Sequence, residues 1–175
     1  MMVPTIDTER LILRAVEPDD FEPYFEEILS DGAVMRWLGG DGQPRSRENA
    51  QATFARLSDP ARDEQNRFWI AVDRASGRLV GHAVLQRLDR SDLIEVGYAL
   101  GQRWWGAGLA TEAARALVDY GFSVLGLDLI TGVARPANAA SRRVLEKAGL
   151  SYAGERRYYD KDLAYYEVAR GVWER

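Results

Sequence analysis

Alternating hydrophobic and polar residues predict a series of β-strands spread along the chain. The pattern is loose in the first strand and clearer in the later ones, where β-branched and aromatic residues recur. The last two strands form a hairpin that we expect to turn at Asp160-Lys161-Asp162. The predicted strands are 10–14, 68–72, 79–88, 93–100, 129–134, 152–159 and 164–173.

Hydrophobic residues spaced three and four apart predict helices between these strands. The first begins at Pro18 and stops at Gly32, and the second is capped by Ser46. A long amphipathic helix covers 109–125, and a shorter one covers 138–148 and ends before a glycine. The order of elements favours a mixed α/β domain, with one central sheet and helices on both of its faces.

The strand 93–100 runs into a turn that carries two glycines, Gly106 and Gly108, and then into the long helix. Strand, glycine turn and helix N-terminus together gather unpaired backbone N–H groups around an anion. A P-loop is excluded because Leu109 stands where its lysine belongs, and Thr111 replaces the third glycine of a dinucleotide-binding fingerprint. The turn therefore suits a pyrophosphate held by backbone donors without a metal, although a plain glycine-rich connection stays open here.

The composition of the chain excludes several kinds of site and partner. The 175 residues suit a single domain spanning 1–175, and the absence of cysteine excludes disulfides, thiolate zinc sites and a cysteine nucleophile. One histidine, His82, leaves almost no material for a catalytic triad or a histidine metal site. A net charge of −4 argues against nucleic acid as a partner. The first residues lack the pattern of a signal peptide, and no apolar run approaches the ~20 residues of a membrane span, so we expect a cytoplasmic protein.

Three blocks of sequence resemble one known family. Residues 102–113 match the acetyl-CoA motif Arg/Gln-x-x-Gly-x-Gly/Ala of the GNAT N-acetyltransferases. Residues 138–149 and 8–14 are similar to elements of the GNAT branch that contains the ribosomal-protein N-terminal (alanine and serine) acetyltransferases. The resemblance covers nearly the whole chain. It implies a single, mostly antiparallel sheet of six to seven strands, splayed in the middle, and an acetyl-CoA-dependent N-acetyltransferase that works by direct attack in a ternary complex.

The resemblance also implies how the cofactor lies. Strand 93–100 would splay from strand 129–134, so that backbone groups of Tyr98 and Leu100 pair with the pantetheine arm. A backbone N–H near Gly97 or Tyr98 would polarise the thioester carbonyl. The implied cofactor contacts are Tyr98, Leu100, Arg103, Trp105, Gly106, Ala107, Gly108, Leu109, Ala110, Thr111, Asn138 and Ser141.

Glu95 is the candidate general base. Strand alternation puts Glu95 and Gly97 on one face of the sheet, with Val96 and Tyr98 on the other. We expect Gly97 to leave open space beside the carboxylate for the substrate amine or a water. The alternative is a carboxylate that only pairs across the strands or faces solvent.

Two residues at the start of the last helix complete the predicted site. Asn138 suits an N-cap, and the resemblance adds a contact to the cofactor. Ser141 matches a serine that the family branch uses to protonate the leaving thiolate, although a serine here also serves as a cap. Leu145 stands where many family members carry a tyrosine acid, so that mechanism is absent.

Each of the remaining aromatic residues near the predicted site has either a functional or a structural interpretation. Trp104 and Trp105 either cover the cofactor or pack beside the turn, and His82 suits a hydrogen-bonded structural role. Four tyrosines near the closing hairpin either line the acceptor cleft or form cross-strand pairs. They are Tyr158, Tyr159, Tyr165 and Tyr166.

The sequence leaves the acceptor open between a protein N-terminus and a small amine. We predict no metal, no nucleic-acid partner and no membrane partner, and a homodimer is compatible with the family. Two other classes of function stay open: a catalytically silent acyl-CoA-binding or regulatory module, and a structural partner domain. Turnover with an amine separates the enzyme from the first, and binding of acetyl-CoA separates it from the second.

Overall fold

A computed structural model describes residues 3–59 and 65–173. Within these ranges the chain forms one sheet of eight strands in the order β1-β2-β3-β4-β5-β6-β8-β7. The strands are β1 Ile6–Asp7, β2 Leu11–Arg14, β3 Arg67–Asp73, β4 Leu79–Arg87, β5 Ile94–Leu100, β6 Leu129–Ala134, β7 Ser151–Tyr158 and β8 Lys161–Ala169.

The helices fill the predicted intervals. The first helical stretch passes from a 3₁₀ turn, Pro18–Asp20, through α1 and into a π-helical turn, Phe25–Leu29. A second 3₁₀ turn, Gln102–Trp104, precedes the glycines. The α-helices are α1 Phe21–Tyr24, α2 Gly32–Met35, α3 Arg47–Leu57, α4 Leu109–Ser123, α5 Ala139–Lys147 and α6 Arg170–Trp173. No helix in the described ranges has the length and apolar character to cross a membrane.

The sheet is antiparallel except where β5 meets β6. Those two strands run parallel and share one register pair, Glu95 with Thr131. By contrast, β4 and β5 pair along their whole length, from Arg87 and Ile94 to Gly81 and Leu100. The sheet is therefore splayed in its middle, as the family resemblance implied, and the gap opens toward the carboxyl ends of β5 and β6.

Each face of the sheet carries its own hydrophobic core. On one face α4 and α5 cover a core that includes Val96, Leu117 and Leu145. On the other face the helices before β3 cover a core that includes Ile28 and Ala99. Val96 and Ala99 thus face opposite ways, which confirms the predicted alternation along β5.

The structure differs from the predicted elements in four places. The short edge strand β1 was not predicted and raises the sheet to eight strands. Gly32 does not stop a helix but begins α2, because Asp31 caps it by accepting from the Ala33 N–H. The last strand ends at Ala169, where α6 begins. The hairpin turns one residue earlier than predicted, with Tyr158 paired to Lys161.

Candidate active site

The opening between β5 and β6 exposes backbone groups of β5. The Gly101 N–H donates to the Val80 carbonyl at 2.9 Å, and the Leu93 carbonyl accepts from the Leu88 N–H at 2.8 Å, so odd-numbered residues bond toward β4. The backbone N–H and C=O groups of the even-numbered residues then face β6, because the direction of these groups alternates along a strand. The backbone groups of Tyr98 and the N–H of Leu100 therefore face the opening, as a ligand-pairing strand edge requires, while the Leu100 carbonyl already accepts from Trp105 Nε1.

A cavity of about 560 Å³ passes through this opening. On the α4–α5 face its lining includes Gly106, Gly108 and Ser141. On the opposite face it includes Glu95 and Tyr159. The predicted anion turn and the predicted base thus lie at two ends of one cavity that runs through the sheet. Leu109, Ala110, Thr111, Asn138, Trp105, Tyr98 and Leu100 also line it.

The glycine turn has the shape of an anion cradle. Gly106 and Gly108 have φ angles of 77° and 79°, in the left-handed region that favours glycine. A Cβ on Gly106 would meet no atom within 4 Å, so it would fill the open space before the turn. Gly108 is the N-cap of α4, with no side-chain cap hydrogen bond of its own. The free N–H groups of the first helical turn fit a pyrophosphate.

Residues from the beginning of the chain hold this turn. Arg10 Nη1 donates to the Ala107 carbonyl at 2.7 Å, and Arg10 Nε donates to Glu112 Oε2 at 2.7 Å. The Thr8 hydroxyl donates to Glu112 Oε1 at 2.6 Å. Burial acts to raise the pKa of Glu112, but the hydrogen bonds from Thr8 and Arg10 outweigh it and the pKa is lowered. The block 8–14 is thus joined to the acetyl-CoA motif by direct hydrogen bonds.

The cations of the cavity differ from the one predicted. Arg103 pairs with Glu27 at 3.0 Å and does not line the cavity; Ala107 does not line it either, although it lies between Gly106 and Gly108, which do. Arg135, Arg143 and Lys147 line it instead. Sequence reasoning missed them, although Arg143 and Lys147 are four apart on α5 and so share a face. Their charges suit the phosphates of a coenzyme.

The start of α5 brings Ser141 against β5. Asn138 Oδ1 accepts from the Ser141 N–H at 3.1 Å, which confirms its predicted capping role. The Tyr98 hydroxyl donates to the Ser141 carbonyl at 2.8 Å and lies 3.2 Å from Ser141 Oγ. Burial raises the pKa of Tyr98, so its phenol stays protonated. Leu145 is 1% exposed and packs against Gly132, so this position is core and not an acid.

Glu95 is a buried carboxylate with two neutral donors. It is 5% exposed, and its Oε1 accepts from Gln86 Nε2 at 2.8 Å and from the Tyr159 hydroxyl at 2.5 Å. Burial raises its pKa, the two hydrogen bonds oppose the rise, and the nearby Asp89 adds to it. Gly97 lines the cavity beside Glu95, but a Cβ on Gly97 would lie 2.9 Å from Val84 Cγ2, so Val84 occupies part of the space that we expected to be open.

Tyr159 reaches Glu95 from the hairpin turn. Tyr159 and Asp160 have φ angles of 53° and 57°, which is the geometry of a two-residue turn with both central residues left-handed. The Tyr159 N–H donates to Asp89 Oδ2 at 2.9 Å, which fixes the turn against the β4–β5 connection. Sequence reasoning placed Tyr159 in a strand, and the absence of glycine hid this turn.

The other predicted aromatic residues divide between the two readings. His82 lines the cavity, and its Nδ1 lies 3.0 Å from the Tyr24 hydroxyl, in keeping with a hydrogen-bonded structural histidine. Tyr158 stacks on Tyr165 and neither lines the cavity. Tyr166 lies on the α5 face, where its hydroxyl accepts from Arg142 Nε at 2.9 Å.

The two tryptophans before the glycines play different parts. Trp105 is 46% exposed, and its Nε1 donates to the Leu100 carbonyl at 2.7 Å, so it ties the turn to the end of β5. Trp104 lines the cavity and packs against the α4–α5 core. Within residues 3–59 and 65–173, its Nε1 is buried without a hydrogen-bond partner. Across the same ranges, no group of three or more histidine, cysteine, aspartate or glutamate side chains is placed to hold a metal ion.

Comparison with known proteins identifies the family. Residues 10–151 match the acetyltransferase (GNAT) domain, and the chain therefore belongs to the GNAT family. It is 33% identical over 162 residues to the uncharacterized N-acetyltransferase YoaA of Bacillus subtilis, covering 90% of this chain and 89% of that one. Its fold matches the ribosomal-protein-S5-alanine acetyltransferase of Vibrio fischeri with a TM-score of 0.76 at 18% identity, over 98% of this chain and 99% of the other.

A third comparison bears on the ligands. The structure of AAC(6')-Ib in complex with ribostamycin and coenzyme A matches with a TM-score of 0.80 at 22% identity, over 95% of this chain and 97% of the other. That likeness shows a shared fold. The family and the N-acetyltransferase relative establish the activity of this protein as acetyl transfer to an amine, and GNAT acetyltransferases use acetyl-CoA as the donor.

Proposed function

We propose that this protein transfers the acetyl group of acetyl-CoA directly to a primary amine while both substrates occupy the one cavity. The observation that carries the proposal is the continuity of that cavity, which reaches from the glycine turn through the open sheet to Glu95. A donor on one face and an acceptor on the other can meet at the opening without a covalent relay. The chain has no cysteine to form one.

On the donor side, the chain binds and orients the coenzyme. The turn at Gly106 and Gly108 holds the pyrophosphate on backbone N–H groups. The backbone of Tyr98 and Leu100 pairs with the pantetheine arm in the manner of an added strand. When bound, acetyl-CoA supplies an acetyl thioester at the opening. The proposed donor-side contacts are Tyr98, Leu100, Trp105, Gly106, Gly108, Leu109, Ala110, Thr111, Asn138 and Ser141, joined by Arg135, Arg143 and Lys147.

On the acceptor side, Glu95 removes the proton that the amine must lose. Its raised pKa brings the carboxylate closer to the basicity that proton transfer from an ammonium group requires. The amine nitrogen forms the new bond to the acetyl carbon as the carbon–sulfur bond breaks. One proton moves from nitrogen to Glu95, and one proton reaches the departing sulfur.

Ser141 is the proposed donor of that second proton. Its hydroxyl lies 3.2 Å from the Tyr98 hydroxyl, which holds it in place, and the proton that Ser141 gives up is replaced from solvent through the cavity. Because Tyr98 also donates to the Ser141 carbonyl at 2.8 Å, the serine is held in a fixed position beside β5. This pair does the work of the tyrosine that Leu145 replaces.

Release of coenzyme A from acetyl-CoA tests the proposal directly. The purified protein is incubated with acetyl-CoA and a panel of small amines and peptides, the free thiol is measured, and acetylated products are identified by mass spectrometry. We expect thiol release that depends on one class of amine and equals the acetylated product. Binding of acetyl-CoA without amine-dependent release would contradict the proposal and favour a binding module.

A further inference from the structure

The acceptor side of the cavity carries two charged side chains. Among the charged residues that line the cavity in the described part of the chain, Arg135, Arg143 and Lys147 lie on α5 or just before it. The other two, Glu95 and Lys161, belong to β5 and β8 and lie on the opposite face of the sheet. An amine entering from that side therefore meets one carboxylate and one ammonium group.

Several acidic residues outside the cavity lining already have hydrogen-bond or ion-pair partners. Asp89 accepts from the Tyr159 N–H, and Arg36 lies over the cavity-lining Trp37 ring at 4.7 Å, adding positive charge. Four further acids pair with arginines: Asp41 with Arg45 at 3.3 Å, Asp160 with Arg90 at 3.6 Å, Asp162 with Arg157 at 3.2 Å and Glu27 with Arg103 at 3.0 Å. Among the cavity-lining residues of the described ranges, Glu95 is the one carboxylate. A second ammonium group on the acceptor would therefore find no second carboxylate in the lining and would meet Lys161, which is unfavourable.

Lys161 has donors to spare. It is half-buried, and its Nζ donates to the Gly40 carbonyl at 3.2 Å. Within residues 3–59 and 65–173, no carboxylate forms an ion pair with it. An ammonium group has three N–H donors and one is used, so two remain for an anionic group. A half-buried cation gains most from such a partner because solvent screens it little.

The other walls on this side of the cavity are largely apolar. They include Leu38, Val84 and Leu163, and the ring of Trp37. We propose that the acceptor is a monoamine with an apolar body and one anionic group, whose amine lies at Glu95 and whose anion is bound by Lys161. This rests on the proposed function and names the substrate class of the same site. Polyamines and other polycations would be poor acceptors.

The chain provides a matched control for Lys161. It has 23 lysine and arginine residues, yet lysine occurs only at Lys147 and Lys161, and both line the cavity. Lys147 lies on the donor side, on α5. The variants Lys161→Met, Lys161→Arg and Lys147→Met therefore remove or keep one cavity cation at a time.

The test compares acceptors that differ in the number and sign of their charges, with phenylalanine and its amide as the matched pair. Phenylalanine, phenylalaninamide, phenethylamine and spermidine are each assayed with acetyl-CoA by thiol release, in the wild type and the three variants. We expect kcat/KM to be roughly 10- to 100-fold higher for the carboxylate than for its amide, since a charge-assisted hydrogen bond is lost. Lys161→Met should abolish this preference and Lys161→Arg should keep most of it. Lys147→Met should keep it fully while raising the KM of acetyl-CoA.

Two results overturn the proposal and are distinguishable from each other. If spermidine or phenethylamine is acetylated as well as phenylalanine, or if Lys161→Met keeps the preference, the acceptor class is wrong and the acetyl transfer still stands. If no amine in this panel or in the wider peptide panel releases coenzyme A, the proposed function fails together with the acceptor class.

Discussion

Glu95 combines two demands that oppose each other. Burial makes its ionised form unfavourable and raises its pKa, while Gln86 and Tyr159 donate to the carboxylate and limit the rise. The hydrogen bonds stabilise the ionised carboxylate in its apolar surroundings, and burial keeps its pKa raised. A residue under such strain stabilises the fold less than its neutral counterpart would, which is typical of catalytic positions.

Replacing Glu95 with glutamine should therefore separate activity from stability. We expect Glu95→Gln to lower kcat by roughly 100-fold or more, with the largest loss at pH values above the pKa of Glu95 and below that of the amine, where the wild-type base is ionised and the amine still carries its proton. The free energy of unfolding should be higher than that of the wild type at neutral pH. Denaturant titrations and steady-state kinetics over a pH series measure both quantities.

The sign of the pH effect follows from the raised pKa. A carboxyl group whose pKa is higher in the folded state favours folding when protonated, and that contribution is lost as the pH rises through the folded pKa. The stability gap between variant and wild type should thus shrink as the pH falls below that value. A gap that widens toward low pH would show that Glu95 is a stabilising ion and not a strained base.

Tyr159 should tune Glu95 without touching the reacting atoms. Because its hydroxyl donates to the carboxylate and lowers the pKa, Tyr159→Phe should move the acid limb of the kcat/KM profile to higher pH. At pH 7 we expect a loss of roughly tenfold, the value of one charged hydrogen bond. Tyr158→Phe is the control, since that ring stacks on Tyr165 away from the cavity. Equal profiles for the two variants would remove Tyr159 from the mechanism.

The glycine turn and α4 show how one local element defines the donor side. Gly106 and Gly108 hold left-handed angles, and Arg10 fastens the Ala107 carbonyl from the other end of the chain. The angles belong to the turn itself and follow from its sequence. The hydrogen bonds of Arg10 depend on tertiary structure. They join the blocks 8–14 and 102–113, which both resemble the same family.

Substitution of Gly106 should distinguish a ligand cradle from ordinary turn geometry. Gly106→Ala and Gly126→Ala replace glycines with φ of 77° and 66° and open surroundings, so each should cost about 1–2 kcal/mol of stability. Gly126 lies between α4 and β6 and does not line the cavity. We expect the KM of acetyl-CoA to rise at least about tenfold for Gly106→Ala alone. A similar rise in both variants would mean that strain, and not the cradle, matters.

The parts of this site that depend on neighbouring residues could be predicted from the sequence, and the parts that depend on long-range contacts could not. The strand of Glu95, the cap at Asn138 and the anion turn are each set by a few neighbouring residues, and the structure has all three. Tyr159 was missed because its role depends on the exact register of the hairpin and on Asp89, which lies 70 residues away. Lys161 was read only as part of a turn for the same reason.

The arrangement of the whole sheet makes direct transfer the simplest chemistry. A single register pair joins β5 to β6, and beyond it the strands part and leave the cavity open to both faces. On the proposed function, the coenzyme and the amine approach this space from opposite faces of the sheet. Neither substrate needs to leave before the other arrives.

Initial rates measured over a matrix of acetyl-CoA and amine concentrations test that account most directly. Direct transfer within a ternary complex predicts double-reciprocal lines that intersect, and a protein mass that stays unchanged when acetyl-CoA is added without an acceptor. Parallel lines, together with a protein that gains an acetyl group, would show that an acetylated enzyme carries the group and would contradict the account.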